Sequence, residues 1–278
     1  MTEHPFGRRL AEAVADRGPL CVGLDPHREL LVGWGVGDDL DGLRRFTDAV
    51  VEALAGSVSV VKPQMAFYER FGSRGLAVLE EAVVAFRSAG ALVLLDAKRG
   101  DIGSTMAAYA DYLRAGHPMQ VDAMTVSPYL GPESLAPAVS TAERSGGGLF
   151  VLARTSNPDA ATFQHARVGD RSVAQAVVDT VGGWNPAGAA AGFGPSLGSF
   201  GIVVGATLPE LDVDLTALRG PVLAPGLGAQ GGTVSDLRRL FGAGTAVVPT
   251  VSRDVLGAGP EPAALRTAAE RWAEALAA

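Results

Sequence analysis

Cysteine is almost absent from this chain: Cys21 is the only one in 278 residues. One thiol closes no intramolecular disulfide and builds no zinc cluster. Histidine is nearly as scarce. His4, His27, His117 and His165 share no HExxH or other metal spacing, so no metal site is expected. His27, just after Asp25-Pro26, reads as a loop or surface residue. No apolar run is long enough to span a membrane, and the N-terminus has no signal-peptide pattern, which makes the cytoplasm the expected location. Positive charge is in deficit. A net charge of -7 and a pI near 5.1 weigh against nucleic acid as a partner, yet allow a local cationic pocket for a small anion. The Walker lysine spacing, a coiled-coil heptad and a close internal repeat are all missing, and Gly103-Ser104-Thr105 is no serine-hydrolase elbow.

What the chain does have is apolar residues, 47% of the total, enough for a large core. They recur in eight short runs: Leu20–Leu24, Val58–Val61, Ala91–Leu95, Ala123–Val126, Gly148–Leu152, Phe200–Val204, Val222–Ala224 and Thr245–Val248. Such runs predict strands buried on both faces of a parallel sheet. Helical periodicity fills many of the spacers, at Leu43–Leu54, Leu76–Phe86, Ser104–Leu113, Val173–Val181, Val234–Leu240 and Pro262–Leu276. The alternation predicts an α/β protein, a single (β/α)8 TIM barrel over residues 1–278, with a doubly wound open sheet as the competing architecture. Two Gly- and Pro-rich stretches, near 27–42 and 182–199, read as long loops. The second is either a mobile cover or a surface loop without a role in chemistry.

Charges at strand ends carry more information than charges on helices, because the C-terminal face of a barrel holds its active site. Three successive strands end in Asp25, Lys62 and Asp96. If the third continues, the two-residue period of a strand puts Lys98 on the same side as Asp96. Asp101 can return after the turn at Gly100. In such a cluster Lys62 keeps Asp96 ionised, and Lys98 stays protonated between carboxylates. Such a cluster suits a reaction in which a substrate carboxylate leaves as carbon dioxide: Asp96 would disfavour that carboxylate, and Lys98 would stabilise and then protonate the carbanion left behind. The competing interpretation is an ion-pair network that braces loops.

A second set of groups suits a phosphate. Pro225-Gly226-Leu227-Gly228-Ala229-Gln230-Gly231-Gly232 follows the seventh run and Ser252-Arg253 the eighth, the two places where such barrels hold phosphate. Glycine amides and a helix N-terminus can converge on the anion, Gln230 can donate, and Arg253 can grip it. After the fifth run, Arg154-Thr155-Ser156-Asn157-Pro158 is either a pyrimidine-reading edge, with Ser156 the best candidate, or an Asn-Pro turn. Phe67 and Tyr129 read as ordinary packing residues.

Together these residues resemble orotidine 5'-phosphate decarboxylase, in particular a longer bacterial branch of the mycobacterial kind. The resemblance is carried by Asp96-Ala97-Lys98-Arg99-Gly100-Asp101-Ile102-Gly103-Ser104-Thr105, by Lys62 on the preceding strand, and by Pro225 to Gln230 with Arg253. It spans Asp25 to Arg253. It implies cofactor-free decarboxylation of orotidine 5'-monophosphate to UMP in pyrimidine biosynthesis. Lys62, Asp96 and Lys98 are then catalytic, together with Asp101 supplied by the second subunit of a homodimer. Asp25 and the partner's Thr105 are implied at the ribose, Ile102 around the base, Ser156 at the pyrimidine, and Pro225, Gln230 and Arg253 at the phosphate. Magnesium-dependent sugar-phosphate decarboxylases share the Asp-x-Lys-x-x-Asp pattern but place a carboxylate where this chain has Lys62. A nucleotide-binding barrel without turnover is the non-enzymatic alternative.

Overall fold

The computed structural model describes residues 4–278. Eight parallel strands close into a barrel in chain order. They are β1 Cys21–Leu24, β2 Val60–Pro63, β3 Leu92–Arg99, β4 Ala123–Val126, β5 Gly148–Arg154, β6 Phe200–Val204, β7 Val222–Pro225 and β8 Val247–Val251. β1 pairs with both β2 and β8, which completes the ring of a (β/α)8 TIM barrel. Alternation along the strands sorts two cores. Cys21, Val60, Leu94, Ala123, Phe150, Val203, Leu223 and Val248 fill the barrel, whereas Val22, Val61, Val93, Met124, Val151 and Ile202 face the helices outside.

The helical shell follows local rules. Asp39 accepts a hydrogen bond from Gly42 N at 2.9 Å and so caps the helix Leu40–Leu54. That helix buries Leu43, Phe46, Val50 and Leu54, three and four residues apart, against the strands. Helix Pro262–Ala277 starts with proline in its first turn, where the missing N–H costs nothing, and Arg266 Nε reaches Ala53 O at 3.1 Å. One connection departs from the repeat. Between β6 and β7 the described chain forms no helix, and the buried side chains of Leu208, Val213 and Leu218 cover the barrel there instead.

Several boundaries differ from the sequence expectations. β2 and β8 lie two residues or so further along than their apolar runs, and β3 continues through Asp96 and Lys98 to Arg99. Lys62, Asp96 and Lys98 therefore sit within strands, while Asp25 follows its own, because hydropathy marks only the part of a strand below the polar face. The stretch near 27–42 is not wholly loop. Arg28–Gly33 is a short helix that buries Leu30 and Leu31, and Trp34 Nε1 donates to Leu256 O at 2.8 Å. A helix that the apolar runs do not single out, Phe6–Arg17, places Phe6 and Leu10 in the inner core.

The stretch 182–199 also corrects an expectation. Its first residues complete the helix Val173–Trp184, and the rest runs into the start of β6, at the end of the barrel opposite the charged strand ends. Leu197 joins Phe6 and Leu10 in the inner core, Gly7 N donates to Ser199 Oγ at 3.1 Å, and Ala246 N to Ala191 O at 3.0 Å. This segment closes the bottom of the barrel and cannot cover its mouth.

Asn185 holds it there. Buried, its amide donates to Phe200 O at 2.8 Å and Leu218 O at 2.9 Å, and accepts from Phe200 N at 3.0 Å. Asn185→Ala strands all three backbone groups and should cost about 2–4 kcal/mol in urea unfolding. Turnover should stay at the wild-type level, since the site lies at the other end. Lost turnover with unchanged stability would place the segment at the mouth after all.

Candidate active site

The inward-facing positions change character along each strand. Above Cys21 on β1 comes Asp25. Above Val60 on β2 come Lys62 and Gln64, and above Leu94 on β3 come Asp96 and Lys98. Thr125 follows Ala123 on β4, and Thr250 and Ser252 follow Val248 at the end of β8. β5, β6 and β7 contribute the apolar Leu152, Val203 and Leu223. These residues line one cavity of about 550 Å³ at the C-terminal ends of the strands, charged on one side and apolar on the other.

Asp96 is the hub. Its Oδ2 accepts from Lys62 Nζ at 2.8 Å, and its Oδ1 from Lys98 Nζ at 2.7 Å and Thr125 Oγ1 at 2.8 Å. With its amide turned to suit its neighbours, Gln64 also donates to Asp96 Oδ2 at 3.2 Å. Burial favours the neutral form of Asp96, but the ammonium groups of Lys62 and Lys98 outweigh it and hold the carboxyl well below the usual carboxylate range. Lys62 shows the reciprocal balance. Burial acts against its charge, yet Asp96 and Asp25 keep its pKa above the ordinary lysine value. Lys98 is different, because its side chain is 46% exposed and meets the cavity from the rim. Asp25 Oδ1 and Ser252 Oγ are buried at the cavity wall without a hydrogen bond in the protein, and the Thr250 hydroxyl lies against the Cys21 thiol.

Pro225, Gln230 and Arg253 line the same cavity. Arg253 is exposed and forms no ion pair among the described residues, which leaves its guanidinium available to an anion. Several of the glycine amides in this loop are used within it. Gly226, Gly228 and Gly231 have positive φ, and the amides of Gly228, Gly231 and Gly232 close the loop on itself. A capping box between Thr233 and Asp236 occupies the first turn of the following helix, Val234–Phe241. These glycines shape the loop after β7, and Arg253, from the connection after β8, is the cationic group beside it in the cavity lining.

Other expected residues are not gathered into this cavity. Asp101 Oδ1 accepts from Ile102 N at 2.7 Å, and Asp101, Ile102 and Thr105 lie on the rim beyond β3, outside the cavity lining. Ser156 is exposed and packs over Gly205, while its neighbour Thr155 lines the cavity. Arg154 is spent on Asp212, with Nε 2.9 Å from Oδ1. Conversely, Gln64, Thr125, Thr250 and Ser252 went unread. Gln64 is two residues beyond Lys62, Thr125 two beyond Ala123, and Thr250 and Ser252 two and four beyond Val248, so the strand period could have found them. His27 and Phe67 also line the cavity, and His27 Nδ1 lies 3.1 Å from Glu29 Oε2.

A closed parallel barrel with its convergent charges at the C-terminal strand ends defines a small-molecule enzyme scaffold. Within that class the chain belongs to the orotidine 5'-phosphate decarboxylase / HUMPS family, whose profile matches residues 18–268. It is 60% identical over 269 residues to an orotidine 5'-phosphate decarboxylase of Salinispora arenicola, covering 96% of this chain and 95% of that one. A Streptomyces avermitilis crystal structure assigned provisionally to the same enzyme superposes with a TM-score of 0.94 at 57% identity, covering 100% of this chain and 98% of that one. The OMP decarboxylase of Leishmania donovani is more distant, with a TM-score of 0.73 and 32% identity over 98% of each chain.

The paired shifts fix a pH window. Asp96, depressed in the folded state, contributes stability above its unfolded value of 3.8, lost as pH falls through the folded value. Lys62, raised, contributes stability below 10.5, lost as pH rises through its folded value. Both contributions are in force between. Lys62→Met removes Asp96's largest counter-charge and lets the carboxyl rise. The variant should unfold at a lower temperature than wild type at neutral pH, and calorimetry should show that gap narrowing below pH 3.8. A gap that stays constant on acidification would contradict the coupling.

Proposed function

We propose that the chain decarboxylates orotidine 5'-monophosphate to UMP and carbon dioxide in pyrimidine biosynthesis, without a cofactor. One observation carries the reading. A buried carboxylate, Asp96, is held ionised between two ammonium groups, beside an apolar wall of Leu152, Val203 and Leu223. A substrate carboxylate at C6 of the pyrimidine meets a fixed negative charge, and its uncharged product meets apolar surface. The C6–carboxylate bond breaks, its electron pair stays on C6, and carbon dioxide leaves. Lys98 stabilises the carbanion and transfers a proton to C6, then regains one from solvent. Preorganised stabilisation of that developing charge is the main contribution, because the ammonium is already in place before the bond breaks. Lys62 and Lys98 together also neutralise Asp96, which leaves that carboxylate little attraction for a divalent cation.

Substrate contacts follow the cavity. In this reading Asp25 holds the ribose, and Pro225, Gln230 and Arg253 hold the phosphate. Ser156 reads the pyrimidine from the rim, through a local movement or its backbone. The relatives match over nearly their whole length, which supports placing the chain in the longer bacterial branch. We place the reaction in the cytoplasm and the whole chain in one barrel domain. Among the described residues no helix is long and apolar enough to cross a membrane. Turnover of orotidine 5'-monophosphate by the purified protein, in excess chelator, tests the assignment. Undiminished UMP formation is expected. Activity that the chelator abolishes would favour the magnesium-dependent sugar-phosphate class, and tight binding without turnover a nucleotide-binding protein.

The site is completed by a second subunit, which supplies Asp101 beside Lys98 and Thr105 at the ribose, while Ile102 helps surround the base. Support comes from the rim itself. Ile102, next in sequence to Asp101, is a large apolar side chain left 63% exposed. Lys98→Ala and Asp101→Ala proteins should each be inactive alone. Mixed under subunit exchange, each heterodimer has one site with both defects and one with neither, so activity should return to about half the normal site count. Verified heterodimers that stay inactive would put all four charges in one chain.

A further inference from the structure

Lys98 has φ +47°, a left-handed backbone that side-chain-bearing residues seldom adopt. The ladder between β3 and β4 shows why. Leu95 pairs with Met124 and the next pair is Arg99 with Val126, so Asp96, Ala97 and Lys98 stand opposite Thr125 alone. A bulge of this kind bends its strand, re-aims a side chain and interrupts the ladder's hydrogen bonds. Here a side chain takes over the ladder's work. Thr125 Oγ1 accepts from Lys98 N at 2.9 Å, and the same hydroxyl gives its hydrogen to Asp96 Oδ1 at 2.8 Å. Lys98 Nζ reaches that same Oδ1 at 2.7 Å. One hydroxyl, 1% exposed, thus fixes both the backbone of the lysine and the carboxylate its ammonium faces.

We infer that Thr125 is a positioning residue for the decarboxylation: its hydroxyl locks Lys98 in the left-handed turn that aims the ammonium into the cavity. The inference rests on the reaction proposed above. Threonine suits the place for two reasons. Its β-branch restricts χ1, so the hydroxyl is held towards the bulge, and its methyl group packs as valine's would. Valine has the same shape and neither hydrogen bond. Without them, Lys98 N is left unpaired and the strained turn is free to relax, which carries the ammonium away from the reacting carbon. Substrate binding depends on groups elsewhere in the cavity, so the loss falls on the chemical step.

The test compares Thr125→Val with Thr125→Ser, and adds Thr125→Ala as a second hydroxyl-free variant in case valine folds poorly. Thermal unfolding of each establishes that the barrel is intact. Steady-state kinetics with orotidine 5'-monophosphate should show kcat lowered about 10–100-fold in the valine variant, with KM within about threefold of wild type. The serine variant keeps the hydroxyl and should recover kcat to within about fivefold. A folded valine or alanine variant with wild-type kcat overturns the inference. So does a serine variant as slow as valine, or a loss confined to KM. Wild-type turnover is measured first. An inactive wild type sinks the reaction and this role together, whereas an active wild type beside an equally active valine variant sinks only the role of Thr125.

Discussion

Everything at the mouth of this barrel depends on keeping Asp96 ionised in a place that disfavours charge. Burial alone would protonate it, and a neutral Asp96 would release both lysines. Two ammonium groups prevent this, one from the neighbouring strand and one from two residues along its own. Each partner has a different freedom. Lys62 is buried in the wall between Asp96 and Asp25, so it serves as fixed counter-charge. Lys98 is held by its ammonium and its amide but reaches the cavity from the rim, so it is the one with room to act on a ligand.

The charged layer rests on a neutral one. Directly below it Cys21 is in the inner core, and burial pushes its thiol up to about 12, with Lys62 only partly opposing. No ionised group therefore lies between the lysines and the apolar filling of Val60, Leu94 and Val248. The field of the lysines and aspartates is consequently directed upward, into the cavity. The halves of the mouth differ for the same reason of register. β1 to β4 and β8 bring polar residues to the top layer, and β5 to β7 bring leucine and valine.

Much of this was legible in the residues. All eight strands announced themselves as apolar runs, and Asp25, Lys62, Asp96, Lys98, Pro225, Gln230 and Arg253 do share one cavity. What escaped has physical causes. Hydropathy stops where a strand turns polar, so the extension of β3 through Lys98 could only be raised as a condition, and Thr125 was passed over as part of an ordinary strand. Phe6 and Leu10 are only two of the apolar positions in a polar helix, too few to declare that it plugs the barrel. Glycine and proline mark an irregular backbone but not its place, so 182–199 could be read as a cover when it is a floor. The Lys98 turn is set by a two-residue surplus in pairing, which only the partner strand reveals.

That floor has a further consequence. Among the described residues, Phe6, Leu10 and Leu197 fill the lower end of the barrel, and the cavity lies at the opposite, C-terminal end of the strands, so entry and exit share that end. On the proposed reaction two products of very different character queue there. Carbon dioxide is small and uncharged and can slip past the bound nucleotide. UMP, anchored by its phosphate, must wait for the arginine end to let go. On the proposed reaction and phosphate contact, that shared opening sets an order of departure, gas before nucleotide.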